Sequence, residues 1–177
     1  MKTRFALSFA FALPALLAIG CQEQNGETAD EATDSLAAAD TAPVVTPLYE
    51  RLGGEAAIAA VVDTFVALAA ADTALNFTRQ GTANEWEATP ESIELLKTRL
   101  VQFVGQATGG PQIYEGGDMA TVHTGMEITN EEFDMLAGHL GAALDAYSVP
   151  ETEKQELFAI VETTRSAIVQ PGPAPTP

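Results

Sequence analysis

Cysteine occurs once, at Cys21, and histidine twice, at His123 and His139, in a chain of 177 residues. A lone cysteine excludes an intramolecular disulfide, a cysteine-metal cluster and a paired-thiol redox centre. Cations are equally scarce: 8 Lys and Arg stand against 25 Asp and Glu, for a net charge of −17. Lys2 and Arg4 lie in the first few residues, leaving Arg51, Arg79, Lys97, Arg99, Lys154 and Arg165 for the rest of the chain. Nucleic acid is excluded as a partner, because neutralising phosphates takes a basic face. The acidity otherwise favours solubility and repels anionic surfaces. Tryptophan is single too, at Trp86.

The ends differ in composition from the middle. Residues 1–20 join a basic start to an apolar run from Phe5 to Ile19 and stop at Gly20-Cys21. That pattern is a secretory signal, and the run is too short for a good membrane-spanning helix. A cysteine after a small residue makes it similar to a bacterial lipoprotein signal, with Cys21 as the lipidated first residue. Ala18 replaces the usual leucine of that box. The expected location is the cell envelope, anchored on the periplasmic side. Gln22-Glu23 stand where Asp or Asn would retain the lipid at the inner membrane, so the outer membrane is favoured. Residues 21–45 are rich in Glu, Asp, Ala and Thr without an aromatic, a composition that reads as an acidic flexible linker. Residues 170–177, QPGPAPTP, read as a proline-rich disordered tail. The folded domain is then 46–169.

Within it, the apolar spacing is helical. Thr46-Pro47 is a helix start, and the helix over Leu48 to Leu52 is broken by Gly53-Gly54. A second helix over Glu55 to Ala70 carries Ile58, Val61, Val62, Phe65 and Val66. Thr89-Pro90-Glu91 opens a third, with Ile93, Leu96, Leu100, Phe103 and Val104 on one face as far as Gly109-Gly110. An irregular segment then leads to His123. Thr129 and Glu132 form a capping box ahead of Phe133, Leu136, Leu140, Leu144 and Tyr147. Ser148-Val149-Pro150-Glu151 opens the last helix, with Leu157, Ile160, Val161 and Ile168. No segment alternates with period two. Four substantial helices predict an all-α helical sandwich.

The stretch Gly109 to Leu140, GGPQIYEGGDMATVHTGMEITNEEFDMLAGHL, together with Leu48 to Gly54, LYERLGG, resembles the truncated haemoglobins of group I. The resemblance runs from Leu48 to Val161. Gly53-Gly54 and Gly109-Gly110 fall where that family has paired glycines, and Tyr114, Met119 and Val122 match family positions. It implies a two-over-two globin sandwich holding haem b, with His123 as the iron ligand. The single cysteine excludes covalent attachment through a Cys-x-x-Cys-His signature. His139, sixteen residues on and inside a helix, reads as a packed or hydrogen-bonded histidine.

Phe77 matches the phenylalanine that packs on the haem face, with Phe65 and Phe103 as alternative wall residues. Arg99 matches a basic residue reaching a haem propionate, and Arg79, Lys97 and Arg99 together concentrate scarce cations in one region. Lys97 reads as part of a solvated face. The family often holds oxygen with a tyrosine and a glutamine, but the corresponding positions here are Val66 and Leu100. Neither side chain donates a hydrogen bond. With Leu96 and Val104 they form an apolar distal wall. Thr98 and Trp86 are the remaining candidate donors, although Trp86 reads better as a packed aromatic. Dioxygen gains from a donor, so tight oxygen storage is disfavoured and carbon monoxide suffers less. The implied function is reversible binding of oxygen or another diatomic gas, more a binding protein than an enzyme. The alternatives are a haem protein reactive toward nitric oxide or peroxide, which would need a reductase as partner, and a haem-free helical interaction module.

Overall fold

The computed structural model describes residues 45–169. The signal, the tail and the linker up to residue 44, Cys21 included, lie outside the described residues. Among these there are seven helices and no strand. They are α1 (Leu48–Arg51), α2 (Gly54–Ala71), α3 (Pro90–Ala107), α4 (Met119–His123), α5 (Asn130–Ala146), α6 (Glu151–Glu162) and α7 (Arg165–Ile168).

The signals at the helix ends do what their chemistry predicts. Gly53 and Gly54 both take positive φ, at 93° and 73°, and turn α1 into α2. Thr89 caps α3, its hydroxyl accepting the Ser92 N–H at 3.2 Å, with Pro90 at the first helical position. The capping box of α5 forms in full, Thr129 Oγ1 accepting from Glu132 N and Glu132 Oε2 from Thr129 N.

α2 is the central element. It is long and apolar enough to cross a membrane by length and composition, yet here it packs against both α3 and α5. Its faces feed two apolar clusters. Val61 joins Leu48, Ala143, Leu144 and Leu157, binding α1, α5 and α6. Ile58, Val62 and Val66 meet Ile93, Leu96, Leu100 and Val101 of α3. Leu144 is 1% exposed, so truncating it to Ala costs about 2–5 kcal/mol. Two pairs of long helices thus carry the all-helical sandwich expected from the sequence.

Two local expectations are corrected. The segment before His123 is not wholly irregular: it ends in the one-turn helix α4, which Asp118 caps by accepting the Thr121 N–H at 3.0 Å. Five residues are too few to show helical periodicity. The last helix is not continuous to Ile168. Thr163 and Thr164 turn their hydroxyls back onto the carbonyls of Ile160 and Val161, at 2.6 and 2.7 Å, and the chain restarts as α7. The last helix opens at Glu151, three residues after Ser148. Ser148 adopts φ 55°, and Pro150 occupies the cap position without a side-chain bond.

Candidate functional site

A cavity of about 560 Å³ opens between α2, α3, α4, the start of α5 and the loop joining α2 to α3. Its lining is mostly apolar. From α2 and α3 come Phe65, Val66, Leu96, Leu100 and Phe103, and from the α2–α3 loop Leu75, Phe77 and Trp86. From the α4 side come Met119, Val122 and His123. α4 packs chiefly on α7, so the cavity lies between it and the α2–α3 wall.

His123 is the last residue of α4 and half-buried. Its Nδ1 lies 2.8 Å from the Met119 carbonyl, one helical turn back. A carbonyl only accepts, so Nδ1 carries the proton and Nε2 the ring lone pair. Burial, the larger influence, pushes the imidazole below the ordinary histidine range, and the Met119 bond pulls the other way. The ring is therefore neutral at pH 7. A neutral imidazole with its other nitrogen tied to a backbone carbonyl is the state that ligates a transition metal.

The described residues form no cluster of three or more His, Cys, Asp or Glu suited to a metal ion.

Residues 47–170 match the model of the family described as bacterial-like globin. The chain is 35% identical over 114 residues to a Group 1 truncated hemoglobin of Mycolicibacterium paratuberculosis, covering 64% of this chain and 77% of the relative. This chain is a truncated globin. Among solved structures it is similar to the truncated hemoglobin of Tetrahymena pyriformis in its Fe(III) form, with a TM-score of 0.61 and 27% identity over 71% of this chain and 100% of that one. The 2/2 hemoglobin of Synechococcus sp. PCC 7002, solved in the cyanomet state with covalently attached heme, gives a TM-score of 0.59 and 25% identity, over 70% and 98% of the two chains.

Most of the residues expected around the cofactor come together in this globin. Val66, Phe77, Leu96, Arg99, Leu100, Met119, Val122 and His123 all line the cavity. Val104 does not: it packs in the core, against both apolar clusters, one helical turn beyond Leu100. His139 is absent from the lining and bonds Asp72 instead.

The two candidate donors are committed elsewhere. Trp86 donates its indole N–H to the Phe77 carbonyl at 2.9 Å and sets its ring edge-on to Phe77, centroids 5.2 Å apart. Thr98 donates to the Glu94 carbonyl at 2.8 Å. The cavity side of helices α2 and α3 is thus apolar apart from Ser92 and Arg99, and Ser92 bonds the carbonyls of Glu87 and Thr89; Asn76 and Arg79 of the α2–α3 loop are further polar lining residues. Tyr114 stands at the edge of this wall, its ring edge-on to Phe103 and its phenol tip over Gly116. A Cβ at Gly116 would collide with that phenol, a requirement that the sequence analysis missed.

The cations expected near propionates have separate fates. Arg99 lines the cavity and bonds Glu115 and Gln102, both at 2.8 Å. Lys97 pairs with Glu94 and Asp63 on the surface, the solvated role expected of it. Arg79 is not a solvated cation at all. It lines the cavity as well but is 5% exposed, forks onto Glu132 and donates to the carbonyls of Asn76 and Met126. The sequence grouped it with the other cations because a buried arginine looks the same as an exposed one until its carboxylate partner is known.

Proposed function

We propose that this globin holds haem b through His123 Nε2 and reversibly binds a diatomic gas on the opposite face of the cavity. The observation that carries the reading is the neutral imidazole, tautomer set by Met119, facing an apolar cavity. The lining fits the group: apolar walls for its faces and a cation, Arg99, for a propionate. Haem, when bound, supplies an iron with an exchangeable coordination position for the gas.

The chain's own residues then set the preference. Val66, Leu96 and Leu100 exclude water and offer no donor on the gas side. Dioxygen draws negative charge on binding and gains from a donor; carbon monoxide depends on one less. We therefore read the site as favouring weakly polar gases, with dioxygen released quickly. Arg99 must divide itself between Glu115 and a propionate, which makes it an anchor of modest strength.

The location follows from the leader. With Cys21 lipidated, the domain sits in the cell envelope on the acidic tether, favouring the outer membrane, and any redox turnover draws on a separate reductase. Retention of the chain in a detergent-extracted membrane fraction, lost in Cys21→Ser, tests this.

The central test is absorption spectroscopy of ferric and ferrous protein with and without carbon monoxide. The reading expects a Soret band that shifts with carbon monoxide and is lost in His123→Ala. A haem spectrum indifferent to carbon monoxide would indicate a second internal ligand and electron transfer. No Soret band after reconstitution would leave a haem-free helical module.

A further inference from the structure

α4 is a single turn, and a helix this short has little stability of its own. Something else must fix the depth and tilt of the His123 ring at its end. On its N-terminal side Asp118 caps the turn. On its C-terminal side the three residues after His123 are held by the loop joining α2 to α3.

That hold is specific. Asn84 Nδ2 donates to the Thr124 carbonyl at 3.3 Å, and Asn84 N to the Gly125 carbonyl at 3.2 Å. Arg79 Nη1 donates to the Met126 carbonyl at 3.1 Å. Three consecutive carbonyls, Thr124 to Met126, are thus each taken by one loop. The backbones meet closely: a Cβ at Gly125 would lie 3.3 Å from the Ala83 Cβ, and Gly125 itself is at φ 78°. Arg79 is anchored in turn by Glu132 at the head of α5 and by the Asn76 carbonyl.

The backbone bears a cost for this arrangement. Arg79 has φ 56° and Glu127, beside Met126, has φ 53°. Non-glycine residues in the left-handed region persist only where the surroundings over-determine them. The two lie at either end of the Arg79–Met126 bond.

We infer that residues 76–86 form a clamp that sets the position of His123, with Arg79 and Asn84 as its positioning residues. Asn84 lies outside the cavity lining and acts through the segment that follows the imidazole; Arg79 holds the same segment and also lines the cavity, so the two Asn84 variants isolate the effect of position. The same loop places Phe77 and Trp86 on the cavity wall, so one element shapes both the cofactor face and the ligand's seat. This inference rests on His123 being the iron ligand.

The test compares Asn84→Ala, Asn84→Asp and Arg79→Met in the haem-loaded protein. Asn84→Asp keeps the size and loses the donor. The readouts are the iron–histidine stretching band of the ferrous form and the rate of haem loss to an excess of acceptor. A third readout is the line width of the His123 imidazole resonances in haem-free protein. The expected result is a shifted or broadened band in all three variants. Haem loss should accelerate about ten- to a hundred-fold in Arg79→Met, the range for supporting groups around a metal ligand, and less in the Asn84 variants. Melting temperature should hold in Asn84→Ala, separating position from stability. If Arg79→Met does not fold, the two Asn84 variants decide. An unchanged band and loss rate in the folded variants would overturn the clamp while leaving His123 as ligand. A parent protein that takes up no haem, or whose spectrum survives His123→Ala, would overturn the ligand assignment itself.

Discussion

His139 Nε2 lies 2.8 Å from the carboxylate of Asp72, tying the middle of α5 to the residue that ends α2. The Ala74 N–H and His139 together hold the Asp72 carboxyl below its ordinary range, the backbone bond being the larger influence. The two histidines of the chain therefore divide the work, one lining the cavity and the other joining helices. His139→Ala should leave the haem spectrum and carbon monoxide binding unchanged while lowering the melting temperature modestly. Equal haem loss from His139→Ala and His123→Ala would contradict this division.

Val66 is 3% exposed and lines the cavity on the α2 wall, the side on which we propose that the gas binds. Val66→Tyr supplies a phenolic donor. One net hydrogen bond to a polarised ligand is worth about 1–1.5 kcal/mol, or about tenfold. Dioxygen dissociation, followed by stopped flow, should slow by about that factor, with carbon monoxide dissociation changing less. An unchanged oxygen rate would show that the gas sits away from the α2 wall.

Helices, caps and the apolar face of α3 were legible because each is a local property. The Thr129–Glu132 capping box and the Thr89-Pro90 start are read from side-chain chemistry within four residues. The seat of His123 was legible only through resemblance to a known family, since a lone histidine ahead of a helix has no distinctive spacing. What stayed hidden is non-local. Arg79 meets a carboxylate 53 residues away, and Asn84 meets carbonyls 40 residues away, and no periodicity encodes such pairs. Val104 packs against the core clusters and is not among the residues lining the cavity. It shares the apolar face of α3 with Leu100, but the helix end turns under α1, where Tyr49 N donates to the Thr108 carbonyl at 2.9 Å. A face that is continuous in sequence is thereby divided between cavity and core.

Gly110 is needed for space. A Cβ there would collide with both the Tyr49 ring and the Gln112 amide. That amide donates to the Tyr49 hydroxyl at 2.9 Å and to Glu55 at 3.2 Å, while its Oε1 is buried without a hydrogen-bond partner. A well-packed knot with one unsatisfied acceptor has little room to relax. Gly110→Ala should cost about 1–3 kcal/mol, measured by denaturant unfolding. Gln112→Leu relieves the orphaned oxygen but abandons two bonds, so its cost should be smaller. A Gly110→Ala protein as stable as the parent would mean that the α1 edge yields freely.

Glu132 is held below the ordinary glutamate range, chiefly by its hydrogen bond to Arg79. A carboxylate with a lowered folded pKa stabilises the fold above its unfolded value, about pH 4.3, and the contribution is lost as pH falls through the folded value. Arg79→Met removes the cation and leaves Glu132, at 16% side-chain exposure, with backbone N–H bonds but no counter-charge. At pH 7 the loss should be about 3 kcal/mol, the low end for breaking a buried pair. As pH falls from the unfolded value toward the lowered folded value, the parent progressively loses this contribution, so the stability gap between parent and variant should narrow. Unfolding curves at pH 7 and pH 3.5, followed by far-ultraviolet circular dichroism, measure the gap. A gap independent of pH would mean that Arg79 stabilises through the Asn76 and Met126 carbonyls, with its charge contributing nothing.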